Sequence, residues 1–212
     1  MDSERIQKVA VIGAGTMGAG IAAHLANAGV PVLLLDLPGL AKRAIERLKD
    51  AETIPLMVPE NAEKIQLGDV TNSDDFAKLI ECDWICEAIV ERLDIKRDLY
   101  KRIAQVAQPE TFVTSNTSTI PIRLLVEEMD AKFRSQFAIT HFFNPVRQMR
   151  LLELVRGEDT HAQVIQELAD FCDRKLGKGV VQCADTPGFL GNRVGVFALQ
   201  VGLDEAQRNN LK

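Results

Sequence analysis

The chain has 212 residues, of which 46% are apolar and 26% are charged, and this balance excludes a disordered or membrane-embedded protein. Its formal net charge of -5 and its pI near 5.3 argue against nucleic acid as a partner. The start, MDSERIQ, lacks the pattern of a secretory signal, and no apolar run reaches the roughly 20 residues that cross a bilayer. These observations predict a cytoplasmic protein without a membrane span.

The cysteine pattern points to neither a metal site nor a disulfide framework. The four cysteines form no CxxC pair and have no histidine at metal-ligand spacing; they are Cys82, Cys86, Cys172 and Cys183. We therefore predict four reduced thiols and no bound metal.

The first fifty residues alternate between strand and helix patterns. KVAVIGAG (8–15) is an apolar, β-branched run that ends in glycine, and VPVLLLD (30–36) is a second apolar run. Between them, TMGAGIAAHLANAG (16–29) has apolar residues at helical spacing. A strand, a helix and a strand in this order predict parallel βαβ winding.

The same alternation continues to residue 183. Further strands are predicted at DWICEAI (83–89), TFVTSN (111–116), QFAITHFF (136–143), MRLLELV (149–155) and KGVVQC (178–183), with helices at RLDIKRDLYKRIAQVA (92–107) and AQVIQELADFCDRKL (162–176). The span AETIPLMVPENAEKIQLGDV (51–70) contains two prolines, and we interpret it as an irregular surface excursion. The fold class predicted is α/β, a Rossmann-type doubly wound and mostly parallel sheet.

The segment GAGTMG supplies the G-x-G-x-x-G spacing of dinucleotide-binding turns. Gly13 allows a tight turn, Gly15 allows the backbone to approach a pyrophosphate, and Gly18 allows the helix to pack close to the strand. Thr16 and Met17 open the helix, whose N-terminal amides and dipole favour phosphate. A plain glycine-rich turn is the alternative, but the strand before the motif and the helix after it favour a cofactor site.

The second strand ends in Asp36, whose carboxylate would accept hydrogen bonds from ribose hydroxyls and repel a 2′-phosphate. This favours NAD over NADP as the cofactor. An ordinary turn residue is the alternative for Asp36, and the nearby Lys42 and Arg43 leave NADP open.

A histidine and a carboxylate follow on neighbouring strands. Strand alternation puts His141 on one face with Phe137 and Ile139, at the carboxyl end where open α/β sheets bind ligands. Glu153 has apolar neighbours on its own face, so we expect partial burial and a partner. Taken singly, a structural histidine and a solvent-exposed glutamate stay open. Together they predict an imidazole that a carboxylate supports as a general base.

Several motifs together resemble one family. They are VIGAGTMGAGIA (11–22), EAIVERLDIK (87–96), SNTST (115–119), THFFNPV (140–146) with LLELV (151–155), and DTPGFLGNR (185–193). The chain resembles the L-3-hydroxyacyl-CoA dehydrogenases, in particular the dehydrogenase part of bacterial fatty-acid oxidation proteins. The resemblance implies reversible, NAD-dependent oxidation of an (S)-3-hydroxyacyl-CoA to the 3-oxoacyl-CoA in fatty-acid β-oxidation.

The resemblance also implies roles for single residues. It makes His141 the general base on the 3-hydroxyl and Glu153 the residue that orients it. On the cofactor side it implies Glu91, Lys96 and Asn116. On the substrate side it implies Ser118 and Asn192 as further catalytic residues, which hydrogen-bond the reacting oxygen or the thioester, and Asn144 as support for the histidine. A helix cap for Ser118, helix-end charges for Glu91 and Lys96, and a solvent-exposed position for Asn192 stay open.

The pattern changes after Asp185, where Leu190, Val194, Phe197 and Val201 form a helical stripe that no strand follows. We predict an NAD-binding domain over 1–184, a junction over 185–188, and over 189–212 the first helix of a truncated C-terminal all-α domain. Because family members continue with a helical domain, we expect a fragment with low activity alone.

The expected partners are an acyl-CoA substrate and either a second copy, through the helical domain, or other domains of a larger fatty-acid oxidation protein. Two other functions stay open at this point. One is NAD-dependent oxidation of a small hydroxy acid without CoA, and the other is a non-catalytic NAD-binding or structural protein.

Overall fold

The protein was analysed as a computed structural model, which describes residues 5–49 and 55–210. Its centre is an eight-stranded sheet with the strand order β3-β2-β1-β4-β5-β6-β7-β8. The strands are β1 Val9–Ile12, β2 Val32–Asp36, β3 Ile65–Asp69, β4 Trp84–Glu87, β5 Phe112–Ser115, β6 Phe137–Phe142, β7 Leu151–Arg156 and β8 Gly179–Cys183. β7 runs antiparallel to β6, and the other neighbouring pairs are parallel.

The helices connect these strands. They are α1 Thr16–Asn27, α2 Leu40–Lys49, α3 Ser73–Ala77, α4 Leu93–Val106, α5 Ile122–Leu125, α6 Ala131–Ser135, α7 Ala162–Arg174 and α8 Gly191–Arg208, with 3-10 turns at Pro59–Lys64 and Lys78–Glu81. Among the described helices, none combines the length and the hydropathy that a bilayer crossing requires.

Two apolar cores lie on opposite faces of the sheet. Val9 and Val11 of β1 belong to the core that includes α1 and α7, whereas Ala10 and Ile12 belong to the core that includes α4. Strands that are covered on both faces consist of nearly continuous apolar residues, and all four residues of β1 are buried. The prediction of a doubly wound, mostly parallel Rossmann-type sheet is confirmed.

The interpretation of residues 51–70 as an irregular excursion is wrong for its last part. Residues 65–69 form the edge strand β3, which pairs with β2 from Ile65 opposite Val32 to Asp69 opposite Asp36. Only Ile65 in this strand is buried, and Gln66 and Leu67 are exposed, so the strand lacks the apolar run of its neighbours. Residues 51–54 of the span lie outside the described residues.

The helix α8 differs from the other long helices because none of its residues is buried. The apolar residues predicted along its stripe are largely exposed, with Val194 at 60% and Phe197 at 71% of their full accessible area. Phe189, just before the helix, is buried at 3% exposure. The domain boundaries at 184 and 188 stay predictions.

Candidate active site

The glycine turn joins β1 to α1 and is shaped by the lack of side chains. Gly13 has φ of +103°, a conformation that favours glycine, and a Cβ there would lie 2.5 Å from the Ala88 carbonyl oxygen. A Cβ on Gly18 would lie 1.8 Å from the Gly13 oxygen, so the helix could not pack as closely. A Cβ on Gly15 would meet no atom within 4 Å. The turn is therefore tight on the protein side and open on the outer side.

Asp36 ends β2 beside this turn. Its Oδ2 accepts a hydrogen bond from the Ala14 amide at 2.5 Å, and its Oδ1 accepts one from the Leu37 amide at 2.6 Å. Each carboxylate oxygen retains capacity for a further donor, such as a ribose hydroxyl. Asp36 is half-buried and lines a cavity of about 580 Å³ together with Gly13, Gly15, Leu37, Val70, Thr71, Ala88, Ile89, Val90, Ile95, Asp98, Leu99 and Arg102.

Arg102 was missed by sequence reasoning, because α4 brings it to this cavity from 66 residues beyond Asp36. Its guanidinium donates to the Val70 carbonyl at 2.5 Å and lies over the Phe76 ring at 4.2 Å from the centroid. The cavity is thus lined by the Asp36 carboxylate at the end of β2 and by Asp98 and Arg102 of α4. The open side of Gly15, the helix N-terminus at Thr16 and the Asp36 carboxylate fit a dinucleotide.

His141 and Glu153 lie opposite each other on β6 and β7, which the antiparallel register pairs directly. His141 Nδ1 is 2.7 Å from Glu153 Oε2, and both side chains are buried, at 6% and 0% exposure. The expectation of a buried carboxylate with a partner is met at Glu153. Two phenylalanine rings lie near the histidine ring, with centroid distances of 4.6 Å to Phe143 and 5.6 Å to Phe189.

The other oxygen of Glu153 binds the start of α8. Oε1 accepts hydrogen bonds from the amides of Leu190 at 2.9 Å and Gly191 at 2.6 Å. Burial alone would raise the pKa of Glu153, but the hydrogen bonds from Gly191, His141 and Leu190 together hold that pKa below its ordinary value. An ionised carboxylate only accepts hydrogen bonds, so His141 Nδ1 is the donor in this pair.

Ser118 lies on the other side of the imidazole. Its Oγ is 3.1 Å from His141 Nε2, at the edge of the sheet where β5 ends. Glu91 holds the turn that contains Ser118, because its Oε1 accepts hydrogen bonds from the Ser118 amide at 3.2 Å, from the Thr119 hydroxyl at 3.2 Å, and from the Thr117 hydroxyl. Burial raises the pKa of Glu91, whereas Thr117 and Lys96 lower it, and the net shift is downward.

Lys96 is the buried cation of this region. Its side chain is 1% exposed, and its Nζ lies 2.6 Å from Glu87 Oε1 and 3.3 Å from Glu91 Oε2. Sequence reasoning singled out Glu91 and Lys96 but missed Glu87. The available signal was a glutamate inside the apolar strand DWICEAI, the same kind of signal that identified Glu153.

The three predicted asparagines are placed differently. Asn116 is half-buried, and its Oδ1 accepts a hydrogen bond from the Phe142 amide at 2.9 Å, which ties the end of β5 to β6 beside His141. Asn144 is exposed and lines a cavity of about 220 Å³ with Gly15 and Thr16. Asn192 is half-buried in the first turn of α8. No hydrogen bond joins Asn144 or Asn192 to His141, although the structure describes all three residues.

The described residues therefore bring together His141, Glu153 and Ser118 as predicted, with Glu91 and Lys96 behind the serine turn. The glycine turn after β1 and Asp36 at the end of β2 lie at the same carboxyl edge, and the strands β4 and β5 separate β1 from β6. The roles of these residues, and those of Asn144 and Asn192, stay predictions.

Comparisons with known proteins agree with this geometry. Residues 8–186 match the family model described as the NAD-binding domain of 3-hydroxyacyl-CoA dehydrogenase. A protein of Deinococcus radiodurans, named as a probable 3-hydroxyacyl-CoA dehydrogenase, is 42% identical over 98% of this chain and 62% of its own length. A Rickettsia prowazekii protein, provisionally named as a fatty acid oxidation complex trifunctional enzyme, is 39% identical over 97% of this chain and 29% of its own length.

A solved structure is also similar. The 3-hydroxybutyryl-CoA dehydrogenase of Escherichia coli K12 superposes with a TM-score of 0.77 at 38% identity, over 89% of this chain and 40% of that chain. This chain thus spans less than two thirds of the length of these proteins. Because the matched family model is an NAD-binding domain, the prediction of NAD as the cofactor is confirmed. The chain belongs to the 3-hydroxyacyl-CoA dehydrogenase family, as its sequence motifs predicted.

Proposed function

We propose that this protein oxidises an (S)-3-hydroxyacyl-CoA to the 3-oxoacyl-CoA with NAD, reversibly, as a step of fatty-acid oxidation. The observation that supports it most is the buried pair of His141 and Glu153, with Nδ1 and Oε2 2.7 Å apart and Ser118 Oγ 3.1 Å from the other ring nitrogen. The names of its relatives supply the substrate class, since they contain 3-hydroxyacyl-CoA, 3-hydroxybutyryl-CoA and fatty acid oxidation.

In the proposed reaction His141 Nε2 accepts the proton of the 3-hydroxyl group. Glu153 stabilises the imidazolium that forms, because its ionised carboxylate accepts the Nδ1 hydrogen bond. NAD supplies the acceptor for the hydride that leaves the same carbon. The alcohol thus loses one proton and one hydride and becomes the ketone, and in the reverse direction the imidazolium returns the proton.

Ser118 and Asn192 are proposed to direct the substrate oxygen toward His141. The Ser118 hydroxyl shares the Nε2 side of the ring, where a substrate hydroxyl would be held between the two groups. The rings of Phe143 and Phe189 beside the imidazole fit a substrate with an apolar acyl part. Asn144 is proposed to support the site from the turn after β6.

Partners are part of the same proposal. The exposed apolar residues of α8, such as Phe197 at 71% exposure, are proposed to pack on a helical domain, a second copy or other domains of a larger fatty-acid oxidation protein. The solution mass of the chain, alone and with a separately expressed helical domain of a relative, would test this. A monomer that binds no helical domain would contradict it.

The test of the activity compares (S)-3-hydroxybutyryl-CoA with free (S)-3-hydroxybutyrate under equal NAD, with NADH formation as the readout. The proposal predicts that the thioester is oxidised and that the free acid is oxidised much more slowly. Faster oxidation of the free acid would assign a small hydroxy acid as substrate. NADH binding without oxidation of either compound, measured with the helical domain of a relative present, would assign a non-catalytic NAD-binding role.

A further inference from the structure

The side chain of Glu87 is fully buried at the carboxyl end of β4 and accepts four hydrogen bonds. Its Oε1 accepts from Lys96 Nζ at 2.6 Å and from the Ile89 amide at 2.8 Å. Its Oε2 accepts from the Tyr100 hydroxyl at 2.6 Å and from Ser115 Oγ at 2.7 Å. The donors that hold the carboxylate therefore come from α4, from β5 and from the segment just after β4.

The position of Lys96 on α4 indicates that packing alone does not explain the ion pair of Lys96 and Glu87. The buried residues of α4 are Lys96, Leu99, Tyr100 and Ile103, which is the spacing of one helix face turned to the core. A leucine or methionine at position 96 would continue this face. Replacing a buried ion pair by apolar residues is often neutral or stabilising, so stability alone does not account for Lys96 and Glu87.

The location of the pair suggests what it does. Glu87 pairs with Ile12 in the β1–β4 register, one residue before Gly13, and its own carbonyl accepts the Asn116 amide at 2.7 Å. Lys96 Nζ lies 3.3 Å from Glu91 Oε2, and the other oxygen of Glu91 holds the turn of Thr117, Ser118 and Thr119. That turn presents Ser118 Oγ to His141 Nε2 at 3.1 Å.

We propose that Glu87 is a positioning residue that acts on the cofactor edge through Lys96. It fixes the ammonium group of Lys96 there, and it fixes the turn that presents Ser118 to His141 both through Glu91 and through Ser115, whose Oγ accepts the Thr117 amide at 3.2 Å. The effect of this positioning on catalysis rests on the proposed function. The positioning itself exists in the protein without cofactor or substrate.

The test uses the full chain and four variants: Glu87→Gln, Lys96→Met, the double variant, and Thr114→Val as a control. Thr114 is buried and its hydroxyl bonds Trp84 and Thr140, away from Lys96, so Thr114→Val removes buried hydrogen bonds without touching this network. The readouts are the unfolding temperature, the NADH dissociation constant, and, without cofactor, the NMR signals of the 117–119 amides and of the His141 ring nitrogens.

The proposal predicts that Glu87→Gln shifts the 117–119 amide signals and the His141 signals and weakens NADH binding about tenfold. The double variant should bind NADH no more weakly than Lys96→Met, because Glu87 acts through Lys96. Thr114→Val should lower the unfolding temperature and leave the other readouts unchanged. If a single variant does not fold, the double variant, which has neither buried charge, must still show the shifted amide signals.

Two results would overturn the inference. One is a Glu87→Gln or double variant that unfolds earlier, as Thr114→Val does, while the 117–119 and His141 signals stay at their unmodified positions. The other is a double variant in which the two losses of NADH affinity multiply. A failure of the proposed function would appear separately, as an unmodified protein that does not oxidise 3-hydroxyacyl-CoA, and the cofactor-free signals would still decide the inference.

Discussion

The two halves of the sheet's carboxyl edge are built in opposite ways. At the turn after β1 the site is formed by the absence of side chains, because Gly13 and Gly18 leave no room for a Cβ and Gly15 faces open space. At β6 and β7 it is formed by buried side chains, since His141 and Glu153 are held by hydrogen bonds inside the protein. Added atoms should therefore impair the glycine turn, whereas the pair of His141 and Glu153 should lose its function when atoms are removed.

The largest effect is expected when atoms are removed from the second half. In a protein completed with the family's helical domain, His141→Ala should lower turnover by about a hundredfold to ten-thousandfold, because the proposed general base is lost. NADH affinity should stay nearly unchanged, since the glycine turn follows β1, and β4 and β5 lie between β1 and the strand β6 that carries His141. His161→Ala is the matched control, because this histidine is exposed at the start of α7. Near-normal turnover in His141→Ala would remove the histidine from the mechanism.

Replacing a glycine of the turn by alanine should have different effects at Gly18, which packs against the protein, and at Gly15, which faces open space. Gly18→Ala should destabilise the protein by about 1–3 kcal/mol, because its Cβ would overlap the Gly13 carbonyl oxygen at 1.8 Å. Gly15→Ala should leave the unfolding temperature unchanged, since its Cβ meets nothing within 4 Å, yet weaken NADH binding by about tenfold or more. Thermal unfolding and NADH titration of both variants test this. Unchanged NADH affinity in Gly15→Ala would contradict a pyrophosphate contact at this turn.

A smaller effect is expected at Asp36, which is the one side chain that we assign to the cofactor in the first half. Asp36→Ala should weaken NADH binding about tenfold, the size of one hydrogen bond to a charged group. It should also narrow the preference for NADH over NADPH, because the charge facing the 2′-phosphate is removed. Asp36→Asn, which keeps one acceptor oxygen, separates the two effects. Equal affinities of the unmodified protein for NADH and NADPH would contradict the assignment.

The same contrast explains what the sequence could predict. Gly13, Gly15, Gly18 and Asp36 belong to a short strand–turn–helix–strand unit, so their spacing together with the flanking strand and helix patterns predicted the shape of the turn. His141 and Glu153 were found because each is a polar residue in an otherwise apolar strand. β3 was missed because an edge strand with Gln66 and Leu67 exposed has no buried alternation to detect.

Long-range partners could not be predicted from local patterns. The amides of Leu190 and Gly191 bind Glu153 across 37 and 38 residues of sequence, and backbone amides leave no mark in a sequence. These two amides lie at the start of α8. The segment just after the predicted junction at 185–188 therefore binds Glu153, the partner of His141. Glu87 was detectable as a charged residue in a strand. Its pairing with Lys96 could be predicted only once the buried face of α4 was known.

We propose that His141 and Glu153 act as one unit. A double-mutant cycle of turnover tests this most directly. Glu153→Gln should lower turnover about a hundredfold, because the imidazolium loses its carboxylate.

The deciding variant is the double one, His141→Ala with Glu153→Gln, measured with (S)-3-hydroxybutyryl-CoA and NAD. If Glu153 acts through His141, its turnover should equal that of His141→Ala within about threefold, since residues that act as a unit are not additive. Losses that multiply in the double variant would show that the two residues act independently and would contradict the account.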